Sequence, residues 1–239
     1  MKNIGVWHII SSVNIFRFRE VINMGGMVIT VTEMIGTVAF AISGSIIASK
    51  YGLDLFGVVL VGCVTAVCGG ILRDTLLGRF PPAIFSNEFL LAVAALTSLA
   101  VFIIAYLNAE KIEKLEKRIE STNNVFDAIG LAAFSVTGME VAFGEGHGKN
   151  ALLVISMGVI TGIGGGIVRD ILVDKIPYVL KKHIYALASI TGCIIYYLLR
   201  QYVNKAVGLF VSLFIIVLIR LLAARYHWKL PRVRINGKK

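Results

Sequence analysis

"GIGGGIVRDIL" at residues 162–172 places four glycines in five positions and follows them at once with an Arg-Asp pair. A second run, "VCGGILRDTLL" at 67–77, repeats the pattern about a hundred residues earlier. Each closes an apolar stretch of about 20 residues, the length a helix needs to cross a bilayer. Glycine costs about 1 kcal/mol relative to alanine inside a helix. A charge at the bilayer centre costs about 2.5–3.5 kcal/mol on an insertion scale. A chain that twice joins its poorest helix formers to its most expensive charges has a use for both, and the rest of the sequence is read outward from these two runs.

The 239 residues are 57% hydrophobic and only 16% charged, whereas a soluble domain is nearer 45–50% apolar and 25% charged. The excess falls in seven blocks, near 28–49, 55–77, 88–107, 124–143, 150–173, 183–203 and 205–225. This predicts an all-α membrane protein of seven spans. The net charge of +10 does not indicate nucleic acid, because no basic stripe with interleaved aromatics occurs on a polar face. Cys63, Cys68 and Cys193 all lie in apolar segments, and His8, His147, His183 and His227 are scattered, so neither a disulfide framework nor a metal site is expected. No cofactor is expected either. "GIGGGIVRD" departs from G-x-G-x-x-G because Ile167 takes the last glycine position, and no phosphate-binding G-x-x-x-x-G-K-[ST] exists. No nucleophile stands with a base, so the reading is not an enzyme.

The expected organisation is an N-terminal extension at 1–26, three spans over 27–107, a charged linker at 108–123, three spans over 124–203, a seventh over 204–226 and a basic tail at 227–239. Met24 and Met27 precede the first strong span, so the extension reads as a mis-called start or a peripheral segment. With seven spans the termini face opposite sides. Lys50, the linker, Lys175, Lys181, Lys182 and the tail fall on one side; Arg79, Lys149, Arg200 and Lys205 fall with the N-terminus on the other, which carries half as many cations. The positive-inside rule places the C-terminus in the cytoplasm and the N-terminus outside, in a multi-pass protein of the inner or plasma membrane.

The two glycine runs belong to a longer repeat. Shifted by 94, Ile35, Gly36, Ala39, Phe40 and Gly44 match Ile129, Gly130, Ala133, Phe134 and Gly138. Shifted by 96, Gly62, Thr65, Gly69, Gly70, Ile71, Arg73, Asp74, Leu76 and Pro81 match Gly158, Thr161, Gly165, Gly166, Ile167, Arg169, Asp170, Leu172 and Pro177. An odd number of spans per copy puts the second copy upside down in the membrane, the inverted-repeat plan of many transport proteins.

That plan suggests uses for the motif. Gly69 and Gly70, and Gly164, Gly165 and Gly166, are expected to kink the second and fifth spans beside a solvated path, since backbone freed at membrane depth is tolerated only in protein or a wet cavity. Close helix packing is the competing reading, and is the one adopted for Gly36, Gly44, Gly57 and Gly62. Neighbouring residues on a helix point about 100° apart. The expected ionic cluster therefore pairs Arg73 with Asp170 and Arg169 with Asp74 across the repeats, at the centre of the path; the alternative is that these four merely end helices at the surface. Ser43 and Thr137, and Thr65 and Thr161, are repeat-equivalent hydroxyls that suit a hydrated pore, or bond to their own helix backbone. Glu33 and Asp127 read as helix-N-terminal acids, and Glu140 as a weak pore candidate.

Two three-span repeats, each with Gly-Gly-Ile-x-Arg-Asp in its second span, and a closing seventh span resemble the prokaryotic TRIC family of trimeric intracellular cation channels and the related group of putative glycine transporters. The resemblance covers roughly residues 27–226. Where that family has a third glycine, the first copy has Cys68. The resemblance implies a homotrimer in the lipid bilayer, a pore within each protomer bounded by the second and fifth spans, and passage of monovalent cations, chiefly K⁺ and Na⁺. A secondary transporter of a small solute such as glycine is the alternative it leaves open.

Overall fold

The computed structural model describes residues 24–86, 88–108, 116–181, 184–226 and 228. Most of the extension at 1–26, the middle of the linker and nearly all of the basic tail lie outside the described residues. The long helices are α1 (Met24–Lys50), α2 (Leu55–Leu76), α3 (Glu88–Leu107), α4 (Glu116–Gly144), α5 (Ala151–Leu172), α6 (Ile184–Leu199) and α7 (Lys205–Arg225). Asp54, Asn150 and Asn204 accept hydrogen bonds from the first-turn amides of α2, α5 and α7, supplying the side-chain oxygen that a free helix N-terminus needs.

Among the described residues, all but α6 are long and apolar enough to cross a bilayer. The expected sixth span at 183–203 is shorter: α6 has 16 residues, about 24 Å at 1.5 Å per residue, against a hydrocarbon core of about 30 Å. Its last helical residue is Leu199; the Arg200 amide still bonds to the Tyr196 carbonyl, and the Arg200 side chain reaches the Glu140 carboxylate at 3.0 Å. The charged linker also ends earlier than expected. Residues 116–123 already belong to α4, and Asn123 is buried and accepts the Ser43 hydroxyl at 2.9 Å.

The most buried helices are α4 and α1; α3 is the least. The exposed side chains of α3 include Phe89, Leu96 and Ile103, an apolar face suited to lipid. Small residues set how closely the inner helices meet. A Cβ on Gly36 would press on Ala133 and Phe134, and one on Gly130 would overlap the Phe40 ring. The Phe40 and Phe134 rings lie 5.2 Å apart. These contacts pair residues that the 94-residue shift exchanges, and they run α1 antiparallel to α4.

Candidate functional site

The crossing of α2 and α5 is built from bare backbone. A Cβ on Gly69 would overlap the Thr161 carbonyl oxygen, and a Cβ on Gly165 would overlap the Thr65 carbonyl oxygen. Gly164 lies against Gly69 itself: its Cβ would stand 3.2 Å from the Gly69 Cα. Only residues without a side chain allow this approach. Both helices continue unbroken through their glycines. Gly69, Gly164 and Gly165 therefore allow close packing of α2 on α5. Gly70 is different: a Cβ there would meet only the Arg73 guanidinium, at 3.7 Å, whereas one on Gly166 would press on the Tyr185 hydroxyl at 2.9 Å and stand 3.8 Å from the Arg169 guanidinium.

Since Gly69 meets Thr161 while Thr65 meets Gly165, α2 and α5 are antiparallel. Arg73 and Arg169 then lie on opposite sides of the crossing, about 18 Å apart along the axis at 1.5 Å per residue. The expected pairs across the repeats, Arg73 with Asp170 and Arg169 with Asp74, do not form. Each arginine instead turns back on its own neighbour. The Nε of Arg73 donates to Asp74 Oδ1 at 2.8 Å, and the Nε of Arg169 donates to Asp170 Oδ1 at 2.9 Å. The long guanidinium arm closes the 100° gap between adjacent helical positions. All four residues are at most 4% exposed, so they are neither central nor at the water surface: they sit in the last turns of α2 and α5, sealed inside the protein.

Each aspartate has a second duty. Asp74 Oδ2 accepts the Ala83 amide at 2.9 Å, and Asp170 Oδ2 accepts the Tyr178 amide at 2.6 Å. Both helices end in the same way. The Arg79 and Lys175 amides bond back to the Asp74 and Asp170 carbonyls, and the residues before them, Gly78 and Asp174, take positive φ, a Schellman-type stop. Each motif is thus a junction where helix end, arginine and returning loop meet on one carboxylate.

The two ends differ in what surrounds the junction. At the α5 end, Arg169 NH1 donates to Asp127 at 2.8 Å and to Ser43 Oγ at 2.7 Å. Arg220 of α7 donates to the other Asp127 oxygen at 2.9 Å and lies over the Tyr185 ring, 4.4 Å from its centroid. At the α2 end, Arg79 reaches Asp74 at 3.6 Å and Glu145 at 3.2 Å, and Glu33 is close enough to interact with Arg73, Asp74 and Arg79. Asp127 and Glu145 are 18 residues apart on and just beyond α4, so the two networks are about 27 Å apart along it.

The hydroxyls divide. Thr65 and Thr161 bond to the carbonyls of Val61 and Met157, four residues back, at 2.6 and 2.5 Å. Thr137 reaches the Phe134 carbonyl at 3.5 Å. Only Ser43 joins a charged network. Asp127 is twelve residues into α4 rather than at its N-terminus, and it neutralises two arginines. Arg220 carried a plain signal in the sequence, a charge within an apolar span, but α7 has no counterpart in the first half, so a search by repeat passes over it. Glu140 is also structural: it is bonded by the Tyr196 hydroxyl, Arg200 and Lys205.

Helices long enough to span, bare-backbone crossings and sealed ion pairs define a polytopic helical membrane protein. One family description, Glycine transporter, matches the chain twice, over residues 30–106 and 124–201. The chain belongs to that family. It is 39% identical over 214 residues to the UPF0126 inner membrane protein YadS of Escherichia coli K12, covering 86% of this chain and 97% of that one. Solved structures of similar fold are TRIC channels. One is a TRIC cation channel studied for its conductance (36% identity, 87% of this chain and 98% of that one, TM-score 0.74). Another is the trimeric intracellular cation channel orthologue of Rhodobacter sphaeroides (28% identity, 84% and 99%, TM-score 0.75).

Proposed function

We propose that the chain is a cation channel of the cell membrane, a homotrimer in which each protomer carries its own pore for monovalent cations such as K⁺ and Na⁺. The two halves are taken as inverted repeats, with the C-terminus in the cytoplasm. The observation that carries this reading is the α2–α5 crossing, where each helix lays glycine Cα atoms against the Thr65 and Thr161 carbonyl oxygens of the other. Carbonyl oxygens replace the hydration shell of a cation. In this structure the crossing is packed shut. Parting the helices by the width of an ion opens a lane lined by bare glycine backbone, where each of those oxygens keeps its helical hydrogen bond and offers its second lone pair. The Arg–Asp junctions at the two ends keep the helix termini neutral and anchored while the middle moves. The likeness to TRIC channels supports the same reading.

A carrier for glycine is the second reading. It draws on the family description and on the two ionic networks, which suit a pair of alternately opening ends. Purified protein in planar bilayers separates the two. Discrete current steps whose reversal potential follows a KCl gradient toward the cation support the channel. Saturable glycine uptake into proteoliposomes, with no steps, refutes it in favour of the carrier.

A further inference from the structure

A groove runs between α1 and α7 over α4, and its two ends differ in chemistry. Its length is apolar: a cavity of about 280 Å³ is lined by side chains that include Val31 and Ile35 of α1, Ala132 of α4, and Phe210, Leu213 and Val217 of α7. Its mouth is polar: a cavity of about 240 Å³ lies among Ile29, Glu140, Phe143, Arg200 and Lys205. The helix register sets them end to end. α1 is antiparallel to α4 through the Gly36–Ala133 and Gly130–Phe40 contacts. α7 is antiparallel to α4 through the Lys205–Glu140 and Arg220–Asp127 pairs. Ile29, Glu140 and Lys205 therefore share one level, Ile35 lies part of the way along near Phe134, and Ile129 and Val217 share a level deeper in the membrane.

The mouth carries a surplus of positive charge. Glu140 is buried and holds both cations: Lys205 Nζ at 2.5 Å and Arg200 Nε at 3.0 Å. Two cations share one carboxylate, and their side chains remain 30% and 33% exposed. The Arg200 guanidinium is steadied over the Phe143 ring at 5.3 Å. Lys205 is the first residue of α7, so the positive end of that helix adds to the field. From Glu140 to Ile129 the groove is about 16 Å long at 1.5 Å per residue, close to half of a hydrocarbon core of about 30 Å. A basic mouth at the membrane boundary above an apolar slot one leaflet deep matches one kind of molecule.

The geometry points to a site for a single anionic phospholipid, with its phosphate at Arg200 and Lys205 and one acyl chain along α1, α4 and α7. The site is separate from the α2–α5 crossing and does not depend on the pore reading. It is tested with the full chain in phosphatidylcholine liposomes doped with phosphatidylglycerol bearing a photoreactive group at the end of one acyl chain, with adducts mapped by mass spectrometry. Adducts are expected to concentrate on residues 129–133 and 210–217. Arg200→Gln, which leaves the Lys205–Glu140 pair in place, is expected to lower their yield about five-fold, the scale of one basic group at an anionic lipid surface. Leu213→Trp leaves the mouth intact, fills the slot and removes these adducts. The site is refuted if a phosphatidylcholine probe labels the groove equally. It is refuted if adducts spread evenly over the exposed face of α3, or if Leu213→Trp changes nothing. It is also refuted if the groove is unlabelled, because protein, such as a second copy of the chain, then covers it.

Discussion

Asp127→Asn tests the α5-end network most directly. Arg169, Arg220, Asp127 and Asp170 form a balanced set of two positive and two negative groups. Removing the Asp127 charge leaves one positive charge in excess. Arg169 keeps Asp170, bound at 2.9 Å, so the stranded group is Arg220. Its remaining neighbours are the Tyr185 and Tyr178 rings, at 4.4 and 5.3 Å. Breaking a buried pair in this way costs about 3–5 kcal/mol, and asparagine keeps one acceptor oxygen, so the lower end, about 3 kcal/mol, is expected. That is a fall of about two powers of ten in the folding equilibrium. Unfolding by SDS in mixed micelles, followed by circular dichroism, measures it. Adding Arg220→Met removes the stranded charge and should recover about 2 kcal/mol, a coupling that a double-mutant cycle isolates. If the two substitutions simply add, Arg220 does not depend on Asp127 and the network has been misassigned.

Other outcomes follow from the same contacts. Gly165→Ala drives a methyl group into the Thr65 carbonyl and should destabilise the protein by about 1–3 kcal/mol; in planar bilayers it should also change conductance, and a variant with unaltered stability would contradict the close crossing. Asp170→Asn should weaken folding in the same SDS assay, and Arg73→Gln should not rescue it, because the two residues lie at opposite ends of the crossing. Glu145→Gln removes a half-exposed ion pair with Arg79 and should change stability by less than about 1 kcal/mol. Lys149→Cys should react with an impermeant maleimide in intact cells while Ser121→Cys does not; the reverse labelling overturns the proposed orientation.

Much of the fold was legible because membrane helices write their lengths in hydropathy, and five of the seven spans agree with the helices to within a few residues. The sixth was overextended because the apolar Tyr202 and Val203 carry the hydropathy on past Leu199 into a turn. The glycines were legible as missing side chains but not what fills the space: Gly69 and Gly165 take in the carbonyl oxygens of Thr161 and Thr65. The cross-repeat pairs failed on geometry already implied by the repeat. Because α2 and α5 cross antiparallel, the residues that follow Gly69 and Gly165 run in opposite directions, so Arg73 and Asp170 separate. Asp127 was visible but placed at a helix start, because the start of α4 at Glu116 lies within a polar stretch that hydropathy reads as linker.

The opposed directions of the two Arg–Asp junctions bear on how the protein answers a membrane potential. A potential does work of about 2.3 kcal/mol per charge per 100 mV across the full bilayer. Where α2 and α5 cross the membrane antiparallel, a field that draws Arg73 away from the end of its helix presses Arg169 toward its own. Equal and equivalent movements of the two arginines therefore cancel in electrical work. The balance is broken by α7: Arg169 is bonded directly to Asp127 alongside Arg220, while Arg73 is bonded to Asp74, with Glu33 within electrostatic reach. Any voltage dependence then reports the less tethered arginine, and the polarity of the potential that favours conduction identifies the end of the protein that moves.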